Sequence, residues 1–356
     1  MFVSPADIGD ARYVNATAKT LTEAGHRAGR RIPKGSILFV CIGSTIGKVA
    51  QAGAECTTNQ QINAVVPDRK NDSNFLVCVL DKQAAQIRLL AGKQAVPIIN
   101  KSTFAAIQIT IPTLPEQQKI AAFLTAVDGR IEQLSRKKAL LEATKKGVMQ
   151  QLFTQTLRFQ DDHGHDFPYW EEKTLGEVAK LSKGAGISKA DIEESGATPC
   201  IRYGELYTEY AELISVVKSR TNLPVKDLVL SRKNDVIIPA SGETHIDIAR
   251  AACVMEDGVA LGGDLNIMRT KHNGVFLAYY LNNACKHAIA SVAQGSSVVH
   301  LYPDQLRRLA LRLPSLPEQT KIAGFLSALD GKIGAVGEQM RQTQAWKKGL
   351  LQQMFV

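Results

Sequence analysis

The sequence predicts an α+β fold in which two globular modules are each followed by one long amphipathic helix. Three observations carry that expectation. A stretch of about 40 residues, PTLPEQQKIAAFLTAVDGRIEQLSRKKALLEATKKGVMQQLF from Pro112 to Phe153, recurs as PSLPEQTKIAGFLSALDGKIGAVGEQMRQTQAWKKGLLQQMF from Pro314 to Phe355, at a constant offset of 202 residues and without a gap. Both copies space their apolar residues alternately by four and three, as a helix with one buried stripe does. The segments ahead of each copy hold short β-rich runs punctuated by Gly, Asn and Pro.

The first module is expected over residues 1–112. Its strand candidates include SILFVCI (Ser36–Ile42) and INAVVP (Ile62–Pro67), and one helix is expected around Phe75–Leu90. Between the strands lies GSTIGKV (Gly43–Val49). A phosphate-binding loop needs four residues between its glycines and Ser or Thr after its lysine. Here three residues and Val49 stand in those places, so the stretch reads as a turn.

The first long helix is expected within 113–157. Thr113-x-x-Glu116 has the form of a capping box, and Pro115 sits in the first turn, where a missing N–H is harmless. Its apolar seam runs Ile120, Leu124, Val127, Ile131, Leu134, Lys138, Leu141, Lys145, Val148, Leu152. The second module covers 158–313, with strand candidates DVIIPAS (Asp235–Ser241) and LALRLP (Leu309–Pro314) and a helix around Phe276–Ala290. The second long helix, within 314–356, opens on Ser315-x-x-Glu318 and Pro317. Its seam is Ile322, Leu326, Leu329, Ile333, Val336, Met340, Thr343, Lys347, Leu350, Met354.

At ~1.5 Å per residue, forty residues make a rod of roughly 60 Å. A stripe that long needs a partner, and the other copy is the obvious one. Parallel and antiparallel pairings both fit the periodicity. An antiparallel coiled coil would put the modules at opposite ends of a rod, related by a pseudo-two-fold axis, and this is the arrangement expected.

The repetition continues upstream, more weakly. Phe104, Ile107, Ile109 and Ile111 match Leu306, Leu309, Leu311 and Leu313. INAV (Ile62–Val65) resembles LNIM (Leu265–Met268), FLVCVL (Phe75–Leu80) resembles FLAYYL (Phe276–Leu281), KGSILFV (Lys34–Val40) resembles KNDVIIP (Lys233–Pro239), and FVSPADI (Phe2–Ile8) lies on CIRYGEL (Cys200–Leu206). The lead-in of the second module, roughly Asp161–Pro199, has no counterpart ahead of Met1, so the first module is expected to begin partway through its fold.

Composition narrows the function classes. The net charge of +9 favours a polyanionic partner. No apolar run approaches the ~18–20 residues of a membrane span, and the first residues lack the pattern of a signal peptide. The six cysteines are scattered through apolar segments with no CxxC pair, which suits free thiols in a reducing cytoplasm. Catalytic patterns are missing. HGHD (His163–Asp166) reads as a solvated linker, and Glu243, His245 and Asp247 as a Gly/Ser loop. No two prolines are adjacent, which excludes the (D/N/S)PP(Y/F) motif with which amino-methyltransferases hold a base. The chain reads as a binder.

LPEQQKIAAFLTAVDGRIE and LPEQTKIAGFLSALDGKI, each ending in KKGxxQQxF, resemble the repeated regions of type I restriction–modification specificity subunits. FPYWEEKTLGEVAKLSKG resembles the start of that family's target recognition domains, and LEAT (Leu141–Thr144) a short helical unit that sets spacer length. The resemblance implies a non-catalytic subunit whose two domains each read one half of a split double-stranded DNA target. It implies two methyltransferase subunits and translocase–endonuclease subunits as partners, with no membrane role. S-adenosylmethionine, ATP and Mg would act in those partners, and this chain would carry no cofactor or metal. The absent lead-in puts reading by the first domain in doubt.

Phosphate contacts would come from Lys and Arg, and base readout from polar side chains on loops. In the first module the candidates are Thr45 and Lys48, the run Thr57, Thr58, Asn59 and Gln60, and Lys93 with Gln94. In the second they are Lys183, Lys189, Arg202 and Tyr203, then Ser241, Glu243, Thr244 and His245, and finally Gln294, Ser296 and Ser297. An assembly scaffold that binds methyltransferase without reading sequence, and a stand-alone nuclease or methyltransferase, are the competing functions.

Overall fold

The computed structural model describes residues 1–9, 11–92 and 95–354. The chain divides into two compact units. One comprises Met1–Lys137 with Val336–Val356, the other Lys138–Ala335. Each unit therefore contains one module and a part of each long helix.

The two long helices form as the periodicity requires, over Leu114–Phe153 and Leu316–Met354. Every apolar seam position is buried or half-buried, with Leu124, Val127, Leu134, Leu152, Ile322, Leu326, Leu329 and Val336 fully buried. Ala121, Met149 and Ala323 are buried beside that seam, so the buried stripe is wider than a strict heptad seam, as helices docked on a globular module need. Within the second unit Lys145 meets Asp330, while Met149 and Leu152 share a core with Ile322, Ala323 and Leu326. Contacts climb one helix as they descend the other. The first unit repeats this: Lys347 meets Asp128, and Leu351 packs on the core that holds Ala121 and Leu124.

The capping boxes expected at Thr113 and Ser315 do not close as drawn. The Ser315 hydroxyl has no hydrogen-bond partner, and Glu318 faces Arg158 at 3.8 Å instead of reaching back. Backbone bonds from Gln117 N–H to Thr113 C=O and from Gln319 N–H to Ser315 C=O open the helices. Glu318 is enclosed in the second unit, whereas Glu116, its counterpart in the first, is exposed.

The first module is built on a four-stranded sheet in the order Tyr13–Val14, Val49–Ala52, Ile37–Val40, Ile62–Val65. The first pair is parallel and the others antiparallel. Phe2–Val3 pairs in parallel with Thr57–Thr58 outside that sheet. Ile37–Val40 is buried on both faces, against the helix Ser73–Arg88 on one side and Val3, Ile8 and Val14 on the other. GSTIGKV is the turn between Ile37–Val40 and Val49–Ala52, where Gly43 and Gly47 take positive φ of 96° each.

The second module repeats this topology with one more strand. Its sheet runs Leu213–Ile214, Ala252–Val254, Asp235–Pro239, Leu265–Thr270, Ala179–Lys183. Thr198–Ile201 pairs in parallel with Ala260–Leu261, as Phe2–Val3 does with Thr57–Thr58. The helix expected over Phe276–Ala290 is two helices, Gly274–Asn283 and Lys286–Val292, separated near Cys285. The lead-in forms the strand Glu171–Thr174, one helical turn Leu175–Val178 and the strand Ala179–Lys183. The first of these pairs antiparallel with Ala310–Leu313. Trp170 packs edge-on against Phe276 and Tyr280, joining Phe153 in an aromatic cluster. All six cysteines are buried free thiols, and burial pushes Cys78 up to about 11 and Cys253 and Cys285 to about 12, far from nucleophilic poise. Among the described residues no helix is long and apolar enough to cross a membrane.

Candidate nucleic-acid interface

The second unit gathers residues that lie more than a hundred positions apart in sequence. Ser241–Gly242 pairs antiparallel with Val299–His300, which brings the 241–247 loop beside the 294–300 hairpin. Ser241 Oγ lies 3.3 Å from His300 Nδ1, and Tyr207 donates to the Ser241 carbonyl at 3.1 Å. Tyr207 stacks edge-on with Tyr203, His300 lies 6.1 Å from the Tyr302 ring, and the Lys183 ammonium sits 5.7 Å from that same ring. Lys183, Tyr203, Ser241 and the 294–297 turn thus belong to one polar, aromatic surface. The backbone beside Lys183 presses closely on a neighbouring strand: a Cβ on Gly184 would meet the Gly262 carbonyl at 2.1 Å, so only glycine fits. That contact seats the 183–189 loop next to Ile201–Arg202, since Gly262 N–H donates to the Ile201 carbonyl.

Most of the predicted side chains here are free to make outside contacts. Lys183, Lys189, Tyr203, Glu243, Thr244, His245, Gln294, Ser296 and Ser297 are exposed, and Arg202 and Ser241 half-buried. Thr244 is partly committed, since its hydroxyl donates to Asp247 at 2.6 Å and caps the loop. Glu243 and Asp247 bring negative charge to the same edge, which suits base donors better than phosphates. Sequence reasoning missed Tyr207, His300 and Tyr302. Aromatic residues near turn signals gave a weak hint, but their convergence depends on the pairing of two distant short strands.

In the first unit the loops also converge, and their side chains are more committed. Gly43 N–H donates to the Pro97 carbonyl, and Gln61 reaches the Ile42 carbonyl, tying the 43–48 turn to the 57–61 turn. Thr57 is buried, with its hydroxyl 3.2 Å from His26 Nδ1, so it presents nothing outward. Asn59 is cross-linked to Gln61 by two hydrogen bonds. The Lys48 ammonium spends one donor on the Ile8 carbonyl at 2.9 Å. Gln60 is exposed, and Thr45 and Thr58 are half-buried. Lys93 and Gln94 lie outside the described residues.

Two further sets of residues recur in both copies and join each module to its helices. Gln117 and Gln319, the glutamines of the two LPEQ motifs, are both buried. Gln117 accepts from Asp72 N–H at 2.8 Å and donates to the Pro112 carbonyl at 2.9 Å. Gln319 accepts from Asn273 N–H at 3.0 Å and donates to the Pro314 carbonyl at 2.8 Å. Asp72 and Asn273 are the N-caps of the module helices, so each glutamine clamps a long helix to the start of the helix it packs on. The second set is ionic. In the first unit Lys347 and Arg12 converge on Asp128 at 2.6 and 3.2 Å. In the second, Asp330 and Glu212 converge on Lys145 at 2.7 and 3.6 Å, and Tyr279 donates to Asp330. The lysine of each repeat reaches the aspartate of the other, while the module residue completing the set, Arg12 or Glu212, has opposite sign.

The family model for the type I restriction modification DNA specificity domain matches residues 4–143 and again 169–340. The chain belongs to that family. Two specificity-domain stretches therefore lie one after the other, each containing a module and the larger part of a long helix. The MjaIX type I restriction enzyme specificity subunit of Methanocaldococcus jannaschii is 24% identical over 360 aligned residues, covering 93% of this chain and 80% of that protein. The MjaVIII specificity subunit of the same organism is 22% identical, with 90% and 78% covered. The crystal structure of the S subunit of a type I restriction-modification system from M. genitalium shares the fold, with a TM-score of 0.62, 19% identity and coverage of 98% of this chain and 90% of that one. Among the described residues of this specificity-family chain, no group of His, Cys, Asp and Glu is placed to hold a metal ion.

Proposed function

We propose that this chain is the non-catalytic DNA-reading subunit of a type I restriction–modification complex, in which each module recognises one half of a bipartite duplex target. The observation that carries this reading is the separate match of both modules to the specificity family. The long helices, clamped to both modules through Gln117 and Gln319, set the spacer between the half-sites and dock two methyltransferase subunits. Translocase–endonuclease subunits complete the assembly. S-adenosylmethionine, ATP and Mg serve those partners, and the chain needs no cofactor of its own.

Physical chemistry supports assigning readout to the second-module surface. Lys183 supplies charge to phosphates, which favours binding without distinguishing sequence. Ser241, Gln294, Ser296, Ser297 and Arg202 can read base edges. Tyr203, Tyr207 and Tyr302 give the surface rigid, amphipathic area.

The test is methylome sequencing of cells expressing the chain with its methyltransferase, with parallel DNA-binding titrations in salt. A split, adenine-methylated motif is expected. Lys183→Ala should weaken binding evenly across sequences and reduce the salt slope by about 1. Arg202→Ala should relax one half-site only. Methyltransferase binding with no motif at all would overturn the reading in favour of a scaffold, and methylation by the isolated chain would overturn its non-catalytic character.

A further inference from the structure

A concavity of about 690 Å³ opens in the second unit, at the end of the paired strands Ala179–Lys183 and Leu265–Thr270 that lies opposite Lys183. Three segments far apart in sequence line it: 176–181, 269–272 and Arg307. Local contacts explain the convergence. Thr270 pairs with Ala179 across the two strands, and its hydroxyl donates to the Val178 carbonyl at 2.6 Å. Gly176 lies so close to Arg307 that an added Cβ would meet the Arg307 carbonyl at 3.2 Å. Charge in this concavity is lopsided. Glu177 is the one carboxylate among the described lining residues, and it is spent on the Thr174 N–H and hydroxyl, which both donate to it. Arg269 donates to Asp235 at 2.9 and 2.7 Å, a pair that is neutral as a whole. Lys180 and Lys271 are exposed, and among the described residues their ammonium groups enter no ion pair or hydrogen bond. Burial, and then the Lys173 charge, hold the His272 imidazole below its ordinary pKa, so it stays neutral beside them.

We infer that this concavity seats backbone phosphates of the DNA duplex, apart from the base-reading surface, and that Lys180 and Lys271 make the contacts. The inference rests on the DNA-reading function proposed above. Two free ammonium groups lining one concavity repel each other, and a phosphate between them removes that cost. Lysine is a compact point charge that neutralises a phosphate without distinguishing sequence. Spacing agrees. Ala179 and Lys183 stand at the two ends of one strand, about 13 Å apart at ~3.3 Å per residue. The major groove is ~12 Å wide. A duplex read across its major groove beside Lys183 thus brings its second phosphate wall to about the distance of the concavity. An acidic stretch of a partner protein is the competing occupant. Val178, Ala179 and Leu181, the apolar residues of the lining, are buried. The concavity therefore offers charge with little apolar area, which suits phosphate better than a docked polypeptide.

The test is a salt series of DNA-binding titrations on the full chain with its methyltransferase, beside methylome sequencing of the same variants. Lys180→Gln and Lys271→Gln should each reduce the slope of log K against log salt by about 1, and the double variant by about 2. The methylated motif should stay the same in all three. Lys226→Gln removes the same charge from another exposed lysine of the unit and should leave the slope unchanged. A parental slope in the double variant, an equal fall for Lys226→Gln, or an altered motif would each overturn the inference while leaving DNA reading intact. Loss of methyltransferase capture by the double variant at an unchanged DNA slope would overturn it in favour of an acidic partner. A parent chain that yields no motif at all would overturn the underlying reading, and this inference with it. Neither lysine side chain has a partner to lose, so the fold is not at stake in these variants.

Discussion

Replacing Gln319 with alanine isolates the clamp between the second long helix and its module. The side chain is fully buried and joins three groups: Asn273 N–H at 3.0 Å, the Pro314 carbonyl at 2.8 Å and His272 Nδ1 at 3.0 Å. Truncation leaves at least the Asn273 N–H and the Pro314 carbonyl without a partner. An orphaned buried polar group costs about 1–3 kcal/mol, so Gln319→Ala should destabilise the second unit by about 2–5 kcal/mol. With a urea dependence of ~2–3 kcal/mol/M, the midpoint should fall by about 1–2 M. The chain has two tryptophans, Trp170 in the second unit and Trp346 in the first, so a Trp346→Phe background makes fluorescence report the second unit alone. Gln319→Glu sharpens the test. It keeps the acceptor for Asn273 N–H but turns an oxygen toward the Pro314 carbonyl, so its penalty should shrink in acid, where a protonated carboxyl can donate. A midpoint shift below about 0.2 M for Gln319→Ala, or a Gln319→Glu penalty indifferent to pH, would refute the clamp.

Three further outcomes follow from the same geometry. Lys145→Met leaves Asp330 and Glu212 without their shared cation and should destabilise the second unit by about 1–3 kcal/mol after allowance for solvent screening; adding Glu212→Gln should recover part of that loss in a double-mutant cycle. Burial raises the Glu318 carboxyl above its ordinary value of 4.5, so its contribution to stability is full below that pH and is lost as pH rises through the native value. Glu318→Gln should therefore gain on the parent as pH rises from 4 toward neutrality, and a stability difference between variant and parent that does not change with pH would contradict the assignment. Finally, repeating LEAT once after Thr144 lengthens the first helix by ~6 Å and should widen the methylated spacer by about one or two base pairs with both half-sites intact; an unchanged spacer would remove the helices as rulers.

Much of the architecture was legible because it is written in local patterns. A repeat at constant offset means two modules, and four-three apolar spacing means a long helix with one buried stripe, whatever lies around it. Ile120 to Leu152 and Ile322 to Met354 could be placed on the buried side because helical periodicity depends on neighbours three and four residues away. The free cysteines and the turn at Gly43–Val49 were readable for the same reason.

Tertiary structure decided whatever depends on groups distant in sequence. Ser315 and Glu318 have the spacing of a capping box, yet Glu318 faces Arg158 in the fold, and the clamp falls to Gln319, whose partner Asn273 lies 46 residues upstream. The lysine and aspartate of each repeat look like ordinary surface charges in sequence; the opposed helices pair them across the copies and add Arg12 on one side and Glu212 on the other. Thr57 had the composition of an exposed loop but is buried, with its hydroxyl against His26, while Tyr207, His300 and Tyr302 joined the polar, aromatic surface of the second module through the pairing of Ser241–Gly242 with Val299–His300. Local periodicity determines which face of a segment is apolar. Long-range pairing determines which loops share a surface, and that cannot be read from either loop alone.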